Sequence, residues 1–142
     1  FKDMLDKVLQ SLEGDLISHE ATVTYDFNAA PQVEYSRAYL ESILQNLISN
    51  AIKYRSTKPK PYIHVTSVMS KNRIQLRVHD NGLGIDLIKF GDKIFGLHKT
   101  FHQNKEARGV GLFLTKTQIE AMGGSISIES EVDKGTTFII TF

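Results

Sequence analysis

Between Ser36 and Tyr54, apolar residues recur at helical spacing: Ile43, Leu44, Leu47, Ile48, Ala51 and Ile52 fill one half of the wheel at about 100° per residue. This is the clearest amphipathic helix in the chain, and Pro59 and Pro61 in the Lys58-Pro59-Lys60-Pro61 stretch close it off. Away from the apolar half, Asn46, Asn50 and Lys53 share an arc of roughly 60°, so two amides and an ammonium project together.

The remaining segments supply partners for the apolar half. Met4, Leu5, Val8, Leu9, Leu12 and Leu16 predict an earlier helix, and Thr22 to Phe27 alternates as a strand before Pro31. Tyr62 to Met69 and Arg73 to Asp80 read as a hairpin turning at Ser70-Lys71-Asn72. From Asn81 to Arg108 the chain is mostly irregular and rich in Gly, Lys and His, which makes that stretch a candidate lid. A helix from about Val110 to Met122 is predicted to stop at Gly123-Gly124, and Ser125 to Glu129 with Thr136 to Phe142 form a last hairpin turning near Lys134-Gly135. Helices mixed with locally connected strands predict a two-layer α/β sandwich, a mixed sheet packed on a helix layer, rather than a doubly wound parallel sheet.

Composition bounds the function classes. With 142 residues, 41% hydrophobic and 23% charged, the chain fits one compact domain, residues 1–142. A net charge of +1 gives no overall bias toward nucleic acid or anionic lipid, so anion binding must come from a local cluster. The absence of cysteine excludes disulfides and thiolate metal sites and fits a cytoplasmic location. No apolar run approaches the roughly 20 residues of a spanning helix. The start, Phe1-Lys2-Asp3-Met4, lies in a helical pattern, so an upstream segment of a longer protein is expected.

Three segments carry candidate chemistry. Asparagine carbonyl oxygens are hard ligands of the kind magnesium accepts, and a lysine beside them suits phosphate, although a solvated polar stripe is the more ordinary explanation of Asn46, Asn50 and Lys53 alone. Asp80 ends a strand and precedes Asn81-Gly82-Leu83-Gly84-Ile85-Asp86, where glycines let the backbone approach a flat ligand and a carboxylate can accept an adenine amine. A plain Asp-Asn-Gly turn reads the same residues without a ligand. Arg108-Gly109-Val110-Gly111-Leu112 leads into a helix, where backbone N–H groups and Arg108 could meet phosphates; a flexible helix entry is the bland alternative.

In order and spacing, these segments together resemble the N, G1 and G2 boxes of the GHKL (HATPase) superfamily, specifically the ATP-binding catalytic domain of bacterial two-component sensor histidine kinases. Asn46-Leu47-Ile48-Ser49-Asn50-Ala51-Ile52-Lys53-Tyr54 looks like the N box, Asp80-Asn81-Gly82-Leu83-Gly84 like G1, and Gly109-Val110-Gly111-Leu112 like the end of G2. Ile94-Phe95 with Lys99-Thr100-Phe101 is similar to the F box, and Glu120 to Gly124 through Gly135-Thr136-Thr137-Phe138 to the family's usual ending. The resemblance implies the Bergerat fold, ATP and magnesium as cofactors, Asn50 on the metal, and Asn46 and Lys53 as catalytic groups near phosphate and metal. It implies nucleotide contacts by Tyr54, Asp80, Gly82, Gly84, Lys99, Arg108, Gly109, Val110, Gly111, Leu112 and Thr137. Family G2 boxes often carry glycine where this chain has Ala107, a change that affects backbone conformations with positive φ.

The family transfers the γ-phosphate to a histidine on a separate dimerising helical hairpin and from there to a receiver domain. The implied partners are therefore ATP or ADP, the dimerisation and phosphoacceptor helices of a homodimeric parent, and a response regulator indirectly; nucleic acid and membrane contacts by this domain are not expected. His19-Glu20 lies at a helix end and reads as a surface histidine rather than the acceptor. His98 and His102 have i, i+4 spacing without an obvious third ligand, and Phe95 and Phe101 read as apolar anchors. Two rivals differ in class: a nucleotide-binding regulatory module, and a GHKL ATPase or protein-serine kinase. The ATPases resembled carry a glutamate base where this chain has Asn46, and an amide cannot take a proton from water.

Overall fold

A computed structural model describes residues 1–96 and 111–142. Its helices are α1 (Lys2–Ser11), α2 (Glu13–Ser18), α3 (Arg37–Lys53), α4 (Leu87–Phe90) and α5 (Gly111–Ala121). Its strands are β1 (Thr22–Asp26), β2 (Tyr62–Ser70), β3 (Arg73–Asp80), β4 (Ser125–Glu131) and β5 (Gly135–Thr141). The strands form one sheet in the order β1-β2-β3-β5-β4, with β1 parallel to β2 and the other neighbours antiparallel.

The period-2 pattern decides which face meets the helices. Ile63 and Val65 of β2, Leu76 and Val78 of β3, and Phe138 and Ile140 of β5 are buried in the same core as Leu5 of α1, Ile43 and Leu47 of α3 and Ile119 of α5. Residues between them, such as Arg77 and His79, lie exposed on the other face. This is the two-layer α/β sandwich that the sequence predicts, with a mixed sheet under one helix layer. Burying one such leucine or isoleucine contributes about 1.5–3 kcal/mol, so α3 is held by its apolar half rather than by propensity alone.

Helix α3 starts where Ser36 accepts a hydrogen bond from the Tyr39 N–H at 3.3 Å and ends at Tyr54, whose N–H donates to the Asn50 carbonyl at 2.9 Å. The β2–β3 turn is tight because Lys71 (φ 48°) and Asn72 (φ 62°) both take the left-handed conformations that a two-residue hairpin demands. Gly123 (φ 80°) terminates α5 as the sequence predicts. Two elements differ from the sequence reading. The first helix breaks at Leu12 into α1 and α2, beside Gly14, a poor helix former. Within the stretch read as irregular, the Asp86 carboxylate accepts from the Ile88 and Lys89 N–H groups at 3.1 Å and starts the single turn of α4. Among the described residues no helix is long and apolar enough to cross a membrane.

Candidate functional site

Asp80 is the last residue of β3 and follows Leu76 and Val78 on the helix-facing side. Burial pushes its carboxyl above the usual carboxylate range; the Gly82 N–H, His79 and the Thr136 backbone oppose that shift only in part. Its Oδ1 accepts the Gly82 N–H at 2.8 Å, which bends the chain immediately after the strand. At Gly82 the backbone lies so close to the end of α3 that a Cβ would come to 2.6 Å from the Tyr54 carbonyl oxygen and 2.9 Å from Asp80 Oδ1. Only glycine fits there without displacing one of them.

Hydrogen bonds from both sides fix the bend. The Leu83 N–H donates to the Tyr54 carbonyl at 3.0 Å, joining the bend to α3, and the Asp133 N–H donates to the Leu83 carbonyl at 2.7 Å. The Ile85 N–H donates to Ser130 Oγ at 2.7 Å, and Ser130 in turn donates to the Gly135 carbonyl at 2.9 Å. Asn81 serves the sheet instead: its Oδ1 accepts the Tyr62 N–H at 2.8 Å and its Nδ2 donates to the Lys60 carbonyl at 3.0 Å. Sequence reading did not single out Ser130, because a serine in a strand carries no local signal of a partner across the sheet.

Asn46, Asn50 and Lys53 lie half-buried along α3, and Tyr54 caps its end. Burial raises the Tyr54 phenol above its usual value, keeping it neutral. Asn46 Nδ2 donates across to α5, to Thr115 Oγ1 at 3.2 Å and to the Gly111 carbonyl at 3.4 Å. The structure thus brings the polar arc of α3 beside the start of α5, while the contact of Leu83 with Tyr54 joins it to the Asp80 bend. Leu112 packs on the core.

Thr137 is placed differently from its expected nucleotide contact. It faces the sheet's outer side, where its Oγ1 lies 2.8 Å from His79 Nδ1. The threonine paired with Asp80 is Thr136, which is buried on the helix side, because neighbouring strand residues point to opposite faces. Gly84 (φ 69°) fills a left-handed position in the bend. Lys99, Arg108, Gly109 and Val110, together with Phe101, Ala107, His98 and His102, lie outside the described residues. Phe95 packs edge-on to Phe138 at 6.5 Å between centroids, as an apolar anchor should. His19 caps α2 with Nδ1 2.9 Å from the Asp15 carbonyl, the surface helix-end position read from the sequence.

The family described as histidine kinase-, DNA gyrase B- and HSP90-like ATPase matches residues 36–142. The chain is 37% identical over 139 residues to cyanobacterial phytochrome A of Nostoc sp. (strain PCC 7120), covering 96% of this chain and 18% of that protein. It is 33% identical over 141 residues to the methanogenesis regulatory histidine kinase FilI of Methanothrix harundinacea, covering 99% of this chain and 16% of that protein. The chain therefore spans under a fifth of the length of either relative. Among solved structures, the catalytic domain of histidine kinase ThkA superposes with a TM-score of 0.82 at 23% identity, covering 99% of this chain and 92% of that one. At that identity the likeness concerns the fold.

Proposed function

The chain belongs to the histidine kinase-, DNA gyrase B- and HSP90-like ATPase family, as the ATP-binding part of a histidine kinase, and from that membership we propose that it binds magnesium-ATP between α3, the Asp80 bend and α5. In the intact protein it would present the γ-phosphate to a histidine on a separate dimerisation domain. The observation that carries this reading is the junction itself. One end of α3 touches the bend that holds the half-buried Asp80 carboxylate, while Lys53, Asn50 and Asn46 run from there toward the start of α5.

The residues present fit the ligand. Asp80 is an acceptor in a poorly hydrated setting, where a hydrogen bond from an exocyclic amine is stronger than in water. Asn46 and Asn50 offer amide oxygens, the hard ligands that magnesium takes beside phosphate oxygens and water. Magnesium, when bound, would neutralise charge on the phosphates. Lys53 would add positive charge on the same face of α3, and the start of α5 would add backbone N–H groups. This chain's own contribution is then positioning and charge neutralisation. An external imidazole already presents a lone pair, so no general base is needed from this chain.

Asn46 weighs against an ATPase that activates water, because its amide Nδ2 is committed to α5 and no carboxylate stands in its place. Incubation with γ-labelled ATP should give neither acid-labile phosphoprotein nor much free phosphate from this chain alone. Adding the upstream helical hairpin of the intact protein should restore labelling on a histidine outside these residues. Rapid phosphate release that disappears in Asn50→Ala would replace the kinase reading with hydrolysis.

A further inference from the structure

Thr115 is fully buried in α5, with 0% exposure, and its Oγ1 accepts the Asn46 Nδ2 hydrogen at 3.2 Å. A valine would fill the same volume in this helix, so packing does not account for the hydroxyl. Burying a hydroxyl without a partner costs about 1–3 kcal/mol, a penalty that the Asn46 contact offsets. The second acceptor of the same Nδ2, the Gly111 carbonyl at 3.4 Å, can only accept. Turning the amide over would set Oδ1 against that carbonyl oxygen. The Gly111 carbonyl therefore selects the orientation that gives the nitrogen to the two α5 oxygens, and the Thr115 hydroxyl, which can accept, anchors the amide there and leaves Oδ1 out of both contacts. Among the described residues Oδ1 has no hydrogen-bond partner, and it is not among the buried atoms left unpaired, of which Gln118 Oε1 is the one found. It remains accessible to an incoming group.

We infer that Thr115 is a positioning residue, which orients the Asn46 amide so that Oδ1 is held ready for the metal and phosphate end of a nucleotide. This rests on the nucleotide reading given above and adds a residue that touches neither metal nor nucleotide. Its effect should appear only where Oδ1 is used. Loss of the hydroxyl should lower the magnesium-dependent part of nucleotide affinity and leave magnesium-free binding alone.

The test is calorimetric titration of ADP into this chain, with magnesium and with a chelator, for wild type, Thr115→Val, Thr115→Ser, Asn46→Ala and the Asn46→Ala/Thr115→Val double variant. Thr115→Val should lose about 2- to 10-fold in affinity with magnesium, the range for one neutral hydrogen bond, and nothing without it. Thr115→Ser should restore the wild-type value, and in the Asn46→Ala background Thr115→Val should add no further loss. Equal losses with and without magnesium would make Thr115 merely structural, and wild-type affinity in both conditions would remove its role; either result overturns the inference. A wild-type chain without magnesium-dependent binding would instead overturn the nucleotide reading beneath it. Should the valine variant fail to fold, the Asn46 side-chain amide in the wild type decides: protection of its hydrogens from solvent exchange is expected, and free exchange would overturn the inference.

Discussion

At the Asp80 bend the backbone is held from α3 by the Leu83–Tyr54 hydrogen bond, from the β4–β5 turn by Asp133, and from β4 by Ser130, at 2.7–3.0 Å. Across the seam between α3 and α5, by contrast, the hydrogen bonds seen among the described residues are those of the Asn46 amide, which reaches two oxygens at 3.2 and 3.4 Å. The bend is shaped by the chain's own hydrogen bonds, and burial already raises the proton affinity of its carboxylate. The seam depends on side-chain orientation. On the nucleotide reading proposed above, the braced bend would serve recognition and the seam, through the held Asn46 amide, would serve alignment of the transferring group.

The largest expected effect tests the rigid end. Asp80→Ala should weaken ADP binding about 10- to 150-fold, the range for a hydrogen bond to a charged group, with or without magnesium. Calorimetry checks it, and a loss confined to magnesium-containing buffer would move Asp80 to the other end of the site.

Next, Gly82→Ala should destabilise the free chain by about 1–3 kcal/mol, since its Cβ would press on the Tyr54 carbonyl and Asp80 Oδ1. Gly111→Ala should cost nothing, because the nearest described atoms, those of Asn46, stand 3.9 Å from a Cβ there and alanine favours helix. Urea denaturation of both variants measures the contrast, and equal destabilisation would erase the distinction between the two ends.

Asn50→Ala is expected to reduce magnesium-dependent affinity by about 2- to 10-fold and leave chelated titrations unchanged. The Asn50 amide makes no side-chain hydrogen bond among the described residues, so its removal should barely move the melting temperature.

The smallest effect is on pH dependence. The folded Asp80 carboxyl holds its proton above the unfolded value of 3.8, so its contribution to stability is fully present below that value and is lost as pH rises through the folded value. Asp80→Asn should remove this slope from the free chain's melting curve. Nucleotide binding should run in the opposite direction and strengthen as the carboxylate ionises. A wild-type melting profile identical to that of Asp80→Asn from pH 3.5 to 7 would show that burial does not perturb the group.

Much of this was legible in the sequence because it depends on local rules. The apolar stripe fixed α3 to within a residue of its ends, Lys71-Asn72 lay in the predicted hairpin turn, and Gly123 marked the end of α5. The bend after Asp80 could be placed because a carboxylate between a strand and a glycine-rich turn is a local pattern. The break at Leu12 and the single turn at Asp86 were less visible, since one weak former or one cap competes with its neighbours over only a few residues.

By itself, the sequence determined most of the elements, the layer arrangement and the kinds of group available to the site, because periodicity, turn chemistry and side-chain type act over a few neighbouring residues. Tertiary structure alone decided that Thr136 rather than Thr137 stands beside Asp80, that Ser130 braces the bend, and that Thr115 holds the Asn46 amide. Each of these depends on strand register or helix packing between residues far apart in the chain. A shift of one residue in a strand exchanges its faces, and no local pattern records which partner a distant polar group will meet.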